Sequence, residues 1–310
     1  MKNRAQAFSP ASVGNVGVGF DCLGHAIGGI GDRALVERIE LKRTEILAIE
    51  GADHALPMEV HLNTAARALE SMRVHLNLDF GFRLTLKKGI PFASGLGGSA
   101  ASASAAVIAA NALLKTPLKF KELYRFALDG EEAASNSRHG DNVAPQLLGG
   151  LVLIAPDERL IRLPLPPGLY ATVVHPDFAL ETKRAREPLK VPFDLHPIID
   201  QLGLLACFVS ACYQGDIELM RDTLRDGLIE PRRAPLIPGF YAVKQAALDT
   251  GAIGSSISGA GPSVFAWYLG ERSARVGADA MVQAFAQASL RADAFVTEMP
   301  AAGAYLEWAE

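Results

Sequence analysis

The stretch Gly89-Ile90-Pro91-Phe92-Ala93-Ser94-Gly95-Leu96-Gly97-Gly98-Ser99-Ala100-Ala101-Ser102 constrains this chain more than any other, because a glycine-rich turn runs straight into an alanine-rich helical pattern. Glycines let a backbone turn tightly and approach a ligand, and the first turn of a helix leaves N–H groups unpaired at the positive end of its dipole. Together they make an anion cradle suited to a triphosphate, with Ser99 and Ser102 able to offer hydroxyl oxygens to a phosphate-bound magnesium ion. Read alone, the segment serves equally as a small-residue bend that lets elements pack closely. It is not a Walker loop, since no lysine follows at the required place.

At 310 residues the chain accommodates two moderate lobes, and the breaker cluster Pro164-Leu165-Pro166-Pro167-Gly168 is the preferred boundary, dividing residues 1–165 from 166–310. A formal net charge of -4 with both signs interspersed argues against the concentrated basic surface of a nucleic-acid binder, so an anionic ligand must be held by local chemistry. Cys22, Cys207 and Cys212 share no metal-ligand spacing and read as reduced thiols. The N-terminus lacks the apolar region of a secretory signal, and the run 100–114 is short for a bilayer span and interrupted by Ser102, Ser104 and Asn111. A cytoplasmic protein without membrane or nucleic-acid partners is expected.

Patterning predicts strands over residues 33–40, 44–49, 74–78, 81–87, 151–155, 171–175, 263–267 and 294–298. Helices are expected over 61–71, 99–114, 119–135, 202–213, 217–226, 241–248 and 274–288. Their irregular alternation favours an α+β chain with two antiparallel or mixed sheets over a repeating barrel.

Three further segments carry candidate chemistry. In residues 9–21, Asn15 is both donor and acceptor and Asp21 can accept from an ammonium or hydroxyl, although both residue types also cap turns. In residues 130–142, Glu131 is a candidate magnesium ligand, and His139, Asp141 and Asn142 form a polar loop able to orient an alcohol near the triphosphate; a helix end followed by a polar turn is the plainer alternative. Thr182, Lys183, Arg184 and Arg186 make one cationic patch and Arg232 with Arg233 another. Guanidinium forks match a carboxylate, though many exposed arginines are simply solvated. The glycine-rich run 251–267 is placed to brace the cradle from the second lobe. No GxSxG elbow accompanies a Ser-His-Asp set, which argues against hydrolase chemistry of that kind.

Three segments, PASVGNVGVGFD, PFASGLGGSAAS and SISGAGPSVFA, in this order across nearly the whole chain, resemble the small-molecule kinase superfamily of galactokinase, homoserine kinase, mevalonate kinase and phosphomevalonate kinase. Within it, SVGNVGVGFDCLG, RHGDNVAPQLLGG, TKRAR and EPRRAPLIPGF are similar to homoserine kinases. The resemblance implies an N-terminal lobe like domain 2 of ribosomal protein S5, a ferredoxin-like C-terminal lobe, and ATP-dependent phosphorylation of L-homoserine with magnesium. It assigns Asn15, Asp21, His139, Thr182, Arg186 and Arg233 to the substrate, Asp21 at the amino group and the two arginines at the carboxylate. It also puts Asn63 near the base or sugar, Pro91 through Ser102 around the phosphates, and Ser99 with Glu131 at the metal. Gly98 departs from the general pattern, where a serine is often found. Asn142 is expected to position the alcohol, with Asp141 as the alternative proton acceptor, and a homodimer is the expected assembly. Another small-alcohol kinase, or a nucleotide-responsive binding module without transfer activity, are the competing readings.

Overall fold

The structure, a computed structural model, describes residues 2–135 and 138–310. Its elements in chain order begin with strands β1 (Arg4–Gly14), β2 (Leu23–Ile39) and β3 (Thr44–Glu50), helix α1 (Thr64–His75) and β4 (Gly81–Lys87). Helices α2 (Gly98–Asn111), α3 (Phe120–Ser135) and α4 (Val143–Leu148) follow, then strands β5 (Leu151–Ile154), β6 (Leu160–Leu163) and β7 (Leu169–Pro176). Next come α5 (Thr182–Arg186), α6 (Leu195–Gln214), α7 (Ile217–Thr223), α8 (Glu230–Arg233) and α9 (Phe240–Asp249). The chain closes with β8 (Gly254–Ile257), β9 (Val264–Leu269), α10 (Glu271–Gln287), β10 (Ala292–Glu298) and β11 (Tyr305–Ala309).

The first sheet has strand order β11-β1-β2-β4-β3, with β5 and β6 joined to the early half of β2. Only the β3–β4 pair is parallel. Strand β2 serves two neighbours because its register against β1 slips between Pro10 and Ala11, so its start pairs with β5 and its end with β4. Behind this sheet lies α2, whose alanines and serines are buried nearly all round, so α1 and α3 approach it closely. The second sheet is antiparallel, β10-β7-β9-β8, with α9 and α10 packed over it through Phe240, Val243, Met281 and Phe285. This β-α-β-β-α-β lobe is ferredoxin-like, and the expected two-lobed α+β class is observed. The connection 164–168 joins β6 to β7, while β11 returns to pair with β1.

A third apolar cluster joins the lobes, with Val13, Leu23 and Ile27 meeting Phe208, Phe265 and Trp267. A polar side chain sits at its centre: His25 lies against the Ala26 carbonyl through Nδ1 (3.0 Å), and its Nε2 accepts from Trp267 Nε1 (3.2 Å). Burial pushes this imidazole down to about 4, so it is neutral and the two bonds fix Nδ1 as the protonated nitrogen.

The strand expected over 74–78 is absent. Val74 and His75 complete the last turn of α1, and the chain reverses through Asn77 at φ 47°. β-Branched Val74 is tolerated there because the helix is anchored one turn earlier by buried Leu69 and Met72. Helix α7 also stops at Thr223, short of the expected 226, because Asp226 folds back to accept the N–H groups of Leu228, Ile229 and Glu230. By contrast α6 is longer than its pattern suggested, and by length and composition it is apolar enough to cross a membrane. Phe208, Ala211 and Cys212 bury one side of it in the inter-lobe core, while Leu195, Ile199, Leu202 and Tyr213 stay exposed.

Candidate active site

The β1–β2 turn, the 89–98 loop, the start of α4, α5 and the 258–261 loop converge on one cavity of about 610 Å³. The 89–98 loop is held by its carbonyl oxygens. Ser258 Oγ donates to Gly95 O (2.8 Å), Ser263 Oγ to Ser94 O (2.7 Å), and the backbone N–H groups of Ser12 and Leu180 to Leu96 O and Ala93 O. With those oxygens turned to protein, the N–H groups of Gly95, Gly97, Gly98, Ser99 and Ala100 have no hydrogen-bond acceptor among the described residues. Such a row of unpaired donors at a helix N-terminus is an anion site. Gly97 has to be glycine: its φ is 70°, and a Cβ would stand 2.5 Å from Ser12 Oγ and 2.6 Å from Gln146 Nε2.

Beneath the loop lies an ion pair that sequence reasoning missed. Asp32 is fully buried on β2; its Oδ1 accepts the N–H groups of Gly89 and Ile90, and its Oδ2 takes Ser102 Oγ (2.7 Å) and the Lys88 ammonium. Lys88 Nζ also donates to Gly98 O and Ser102 Oγ, both at 2.8 Å, which uses its three protons. Ser102 therefore braces the loop from below. Leu96, Ala100 and Ala101 point into the cores, whereas Pro91, Phe92, Ala93 and Ser94 line the cavity with Gly95, Gly97, Gly98, Ser99 and Ser102. No motif marks Asp32, which shares β2 with a second acidic residue, Glu37.

At the head of α2, Ser99 Oγ donates to Glu131 Oε1 (2.9 Å). Burial raises the Glu131 carboxyl to about 7, with Asp141 adding to the rise. A buried carboxyl and a hydroxyl beside a phosphate cradle fit a magnesium ion that keeps most of its ligands as phosphate oxygens and water. No cluster of three or more His, Cys, Asp or Glu suited to a metal exists among the described residues, so such an ion would depend on the nucleotide for its remaining contacts.

The other end of the cavity is charged. Asp21, at φ 57°, pairs with Arg186 (3.0 Å) and His139 Nδ1 (3.3 Å), and Arg233, almost wholly buried, donates to Ala185 O and Gly259 O, both at 3.1 Å. Burial and the neighbouring Arg186 lower the Arg233 guanidinium to about 10, and burial lowers His139. Phe20 lies under both guanidinium groups, 5.7 Å from Arg186 and 5.0 Å from Arg233. Thr182 opens α5 at the rim.

Between the two ends stand Asp141 and Asn142. Gln146 Nε2 donates to Ser12 Oγ (2.9 Å) and to Gly97 O (2.9 Å), and Ser12 Oγ donates to Asn142 Oδ1 (2.8 Å). That relay orients the Asn142 amide with its oxygen toward β1. Asp141 accepts the Asn15 N–H, and burial, reinforced by Asp21, raises its carboxyl to about 7. Two asparagines at the cavity are held by both ends of their amides: Asn15 donates to Gly259 O (2.7 Å) and accepts from Asp21 N (2.9 Å), while Asn63 donates to Pro57 O (3.0 Å) and caps α1 by accepting from Ala66 N. Asn63 thus fixes the 52–63 loop, which brings His54 to within 3.6 Å of the Phe92 ring at the cavity mouth. Asn136 and Ser137 of the polar loop lie outside the described residues.

Family models match the chain twice, GHMP kinases N terminal domain over residues 63–150 and GHMP kinases C terminal over residues 208–287. A homoserine kinase of Xylella fastidiosa is 53% identical over 98% of this chain and 94% of its own length. The chain belongs to the homoserine kinases. A homoserine kinase of Chlorobium phaeobacteroides is 42% identical, covering 96% of this chain and 97% of its own. The crystal structure of homoserine kinase from Cytophaga hutchinsonii superposes with a TM-score of 0.95 at 38% identity, over 99% of this chain and 98% of that one. The mevalonate kinase of L. major, at 15% identity and a TM-score of 0.67 over 97% of this chain and 99% of that one, shares the fold alone.

Proposed function

We propose that this cavity transfers the γ-phosphoryl group of ATP to the side-chain hydroxyl of L-homoserine, giving ADP and O-phospho-L-homoserine for threonine biosynthesis. The supporting observation is that a backbone-built anion cradle and a set of charges complementary to a small zwitterion share one cavity. An amino acid exchanges one internal pair for two external ones, its ammonium facing Asp21 and its carboxylate facing Arg186 and Arg233. No charge is then left buried without a partner. A phosphorylated alcohol would instead set its anion against Asp21.

In this reading the N–H groups of Gly95 and residues 97–100 take the phosphate oxygens, and the His54–Phe92 pair flanks the nucleoside. Ser99 and Glu131 hold magnesium, which when bound neutralises charge on the phosphate oxygens. His139, Thr182 and the Asn15 turn close the amino-acid end. Asn142, oriented by Ser12 and Gln146, positions the hydroxyl for attack on the γ-phosphorus. Asp141, with its carboxyl near 7, is the alternative acceptor for the hydroxyl proton. The P–O bond to ADP breaks as the bond to the hydroxyl oxygen forms, and catalysis rests on alignment and charge stabilisation.

Purified protein with ATP, magnesium and a panel of alcohols tests the reading. ADP formation dependent on homoserine supports it, and robust turnover of a different alcohol, or saturable ATP binding with no transfer, rejects it. We place the protein in the cytoplasm and assemble it as a homodimer, with the exposed apolar side of α6 as the surface available for a second copy; a monomer by light scattering at micromolar concentration would reject the dimer.

A further inference from the structure

Arg232 and Arg233 are neighbours on α8 with different tasks. Arg233 enters the cavity, while Arg232 turns outward onto the segment that follows α5. There its guanidinium donates to three backbone carbonyls, Pro188 (3.4 Å), Val191 and Pro192 (2.9 Å), and stacks 3.4 Å from the centre of the Phe193 ring. Residues 187–194 are mostly exposed, and the other side-chain bond within them is the local Lys190–Glu187 pair. Only Ala185 of α5 is buried. The segment carrying Thr182 and Arg186 is thus tied down at one end by Leu180 N–H to Ala93 O, in the middle by Arg233 to Ala185 O, and at the far end by Arg232.

The anchor is itself rigid. Asp226 accepts three consecutive N–H groups at the entry to α8, and Glu230, nearly buried, pairs with Lys244 and accepts from Ser256 Oγ (2.6 Å). A planar fork reaching three carbonyls while stacking on a ring cannot be reproduced by an ammonium.

We propose that Arg232 is a positioning residue for the amino-acid substrate: it clamps the 187–193 strap to α8 and so holds Arg186 and Thr182 at the cavity without touching the ligand. This rests on the amino-acid end of the cavity being as read above, and the two can fail separately. Replacing Arg232→Met should raise the homoserine KM roughly tenfold, the scale of one lost charge-assisted hydrogen bond. The KM for ATP should move less than about twofold, and kcat at saturating homoserine should fall little. Arg232→Lys should recover only part of the loss, and Phe193→Leu, which removes the stacked ring alone, should give a smaller rise of the same kind. Limited trypsin digestion without substrate tests the clamp directly: cleavage at Lys183, Arg184, Arg186 or Lys190 should accelerate in Arg232→Met, and homoserine should slow it. An unchanged homoserine KM, an equal rise in both KM values, or wild-type cleavage rates in Arg232→Met would overturn the proposal. If Asp21→Ala left homoserine use intact while trypsin still distinguished Arg232→Met, the clamp would stand and the substrate reading would fall.

Discussion

The two ends of the cavity recognise charge in opposite ways. The nucleotide end offers backbone N–H groups whose loop is pinned from outside by serines and from beneath by Asp32 and Lys88. The amino-acid end offers side chains, Asp21, His139, Arg186 and Arg233, already in contact with one another or with carbonyls. A backbone cradle is hard to remove by changing one side chain but easily blocked by adding one. A side-chain constellation behaves the other way round, and that asymmetry can be tested residue by residue.

Asp21→Ala should have the largest effect. It leaves Arg186 without its partner and removes the acceptor for the ammonium, so kcat/KM for homoserine should fall by about two to three orders of magnitude, the scale of one partner lost from a desolvated charge pair. ATP affinity, read by calorimetry, should stay within about threefold, and a parallel loss of ATP binding would break the comparison. At the other end Gly97→Ala should lower kcat/KM roughly hundredfold, since a displacement near 1 Å at the loop is enough to misplace the phosphates. The same experiment should show ATP binding, not homoserine binding, as the step that suffers.

Lys88→Met separates support from contact. The variant leaves the Asp32 carboxylate buried without its cation and should cost about 3 kcal/mol of stability. Its KM for ATP should rise by roughly tenfold as the Gly89–Gly98 turn loosens, with the homoserine KM little changed. Equal shifts in both would mean that the strut serves the whole cleft.

The smallest effect concerns Asp141. Its carboxyl ionises near 3.8 when the chain is unfolded and near 7 when buried. Below pH 4 both states are protonated and the group contributes nothing. As pH rises from 4 to 7 the unfolded chain ionises first, so native stability declines, and above 7 the whole deficit is present. Asp141→Asn removes this term, so its Tm should match wild type near pH 4 and exceed it by a few degrees at pH 8. A difference that is constant with pH would show that the carboxyl is not held neutral by burial. Retained kcat in the same variant would leave Asn142 as the group that orients the alcohol.

What could be read from the chain alone follows the same division. The cradle was legible because glycine, hydroxyl and alanine runs carry their geometry in their order, as Gly95 to Ser99 do. The charged end was located through Asp21, Arg186 and Arg233 because they lie in segments of recognisable pattern, although nothing in the spacing reveals that Asp21 and Arg186 meet across 165 positions. Asp32, Lys88, Ser12 and Gln146 were invisible for a physical reason: each is a polar residue in a strand, just after one, or in a short helix that no motif marks, and its importance arises only when β1, β2, α2 and α4 pack together. Asn63 shows how one residue can carry two signals, since it caps α1 and also lines the cavity, and a helix-capping asparagine and a ligand-facing one look identical in sequence. Val74 to Leu78 failed as a strand because its apolar–polar alternation spans only five positions, too few to outweigh the helical packing of Leu69 and Met72 that carries α1 through Val74 and His75.

The central claim is that one cavity brings a nucleotide's terminal phosphate to the alcohol of a small amino acid. A crystal structure with homoserine and a non-hydrolysable ATP analogue measures this most directly. The account predicts the homoserine hydroxyl oxygen within about 3–3.5 Å of the γ-phosphorus, the ammonium at Asp21 and the phosphates on the N–H groups of Gly95 and residues 97–100. The two ligands bound apart, with the hydroxyl turned away from the phosphate and no closure bringing them together, would contradict it.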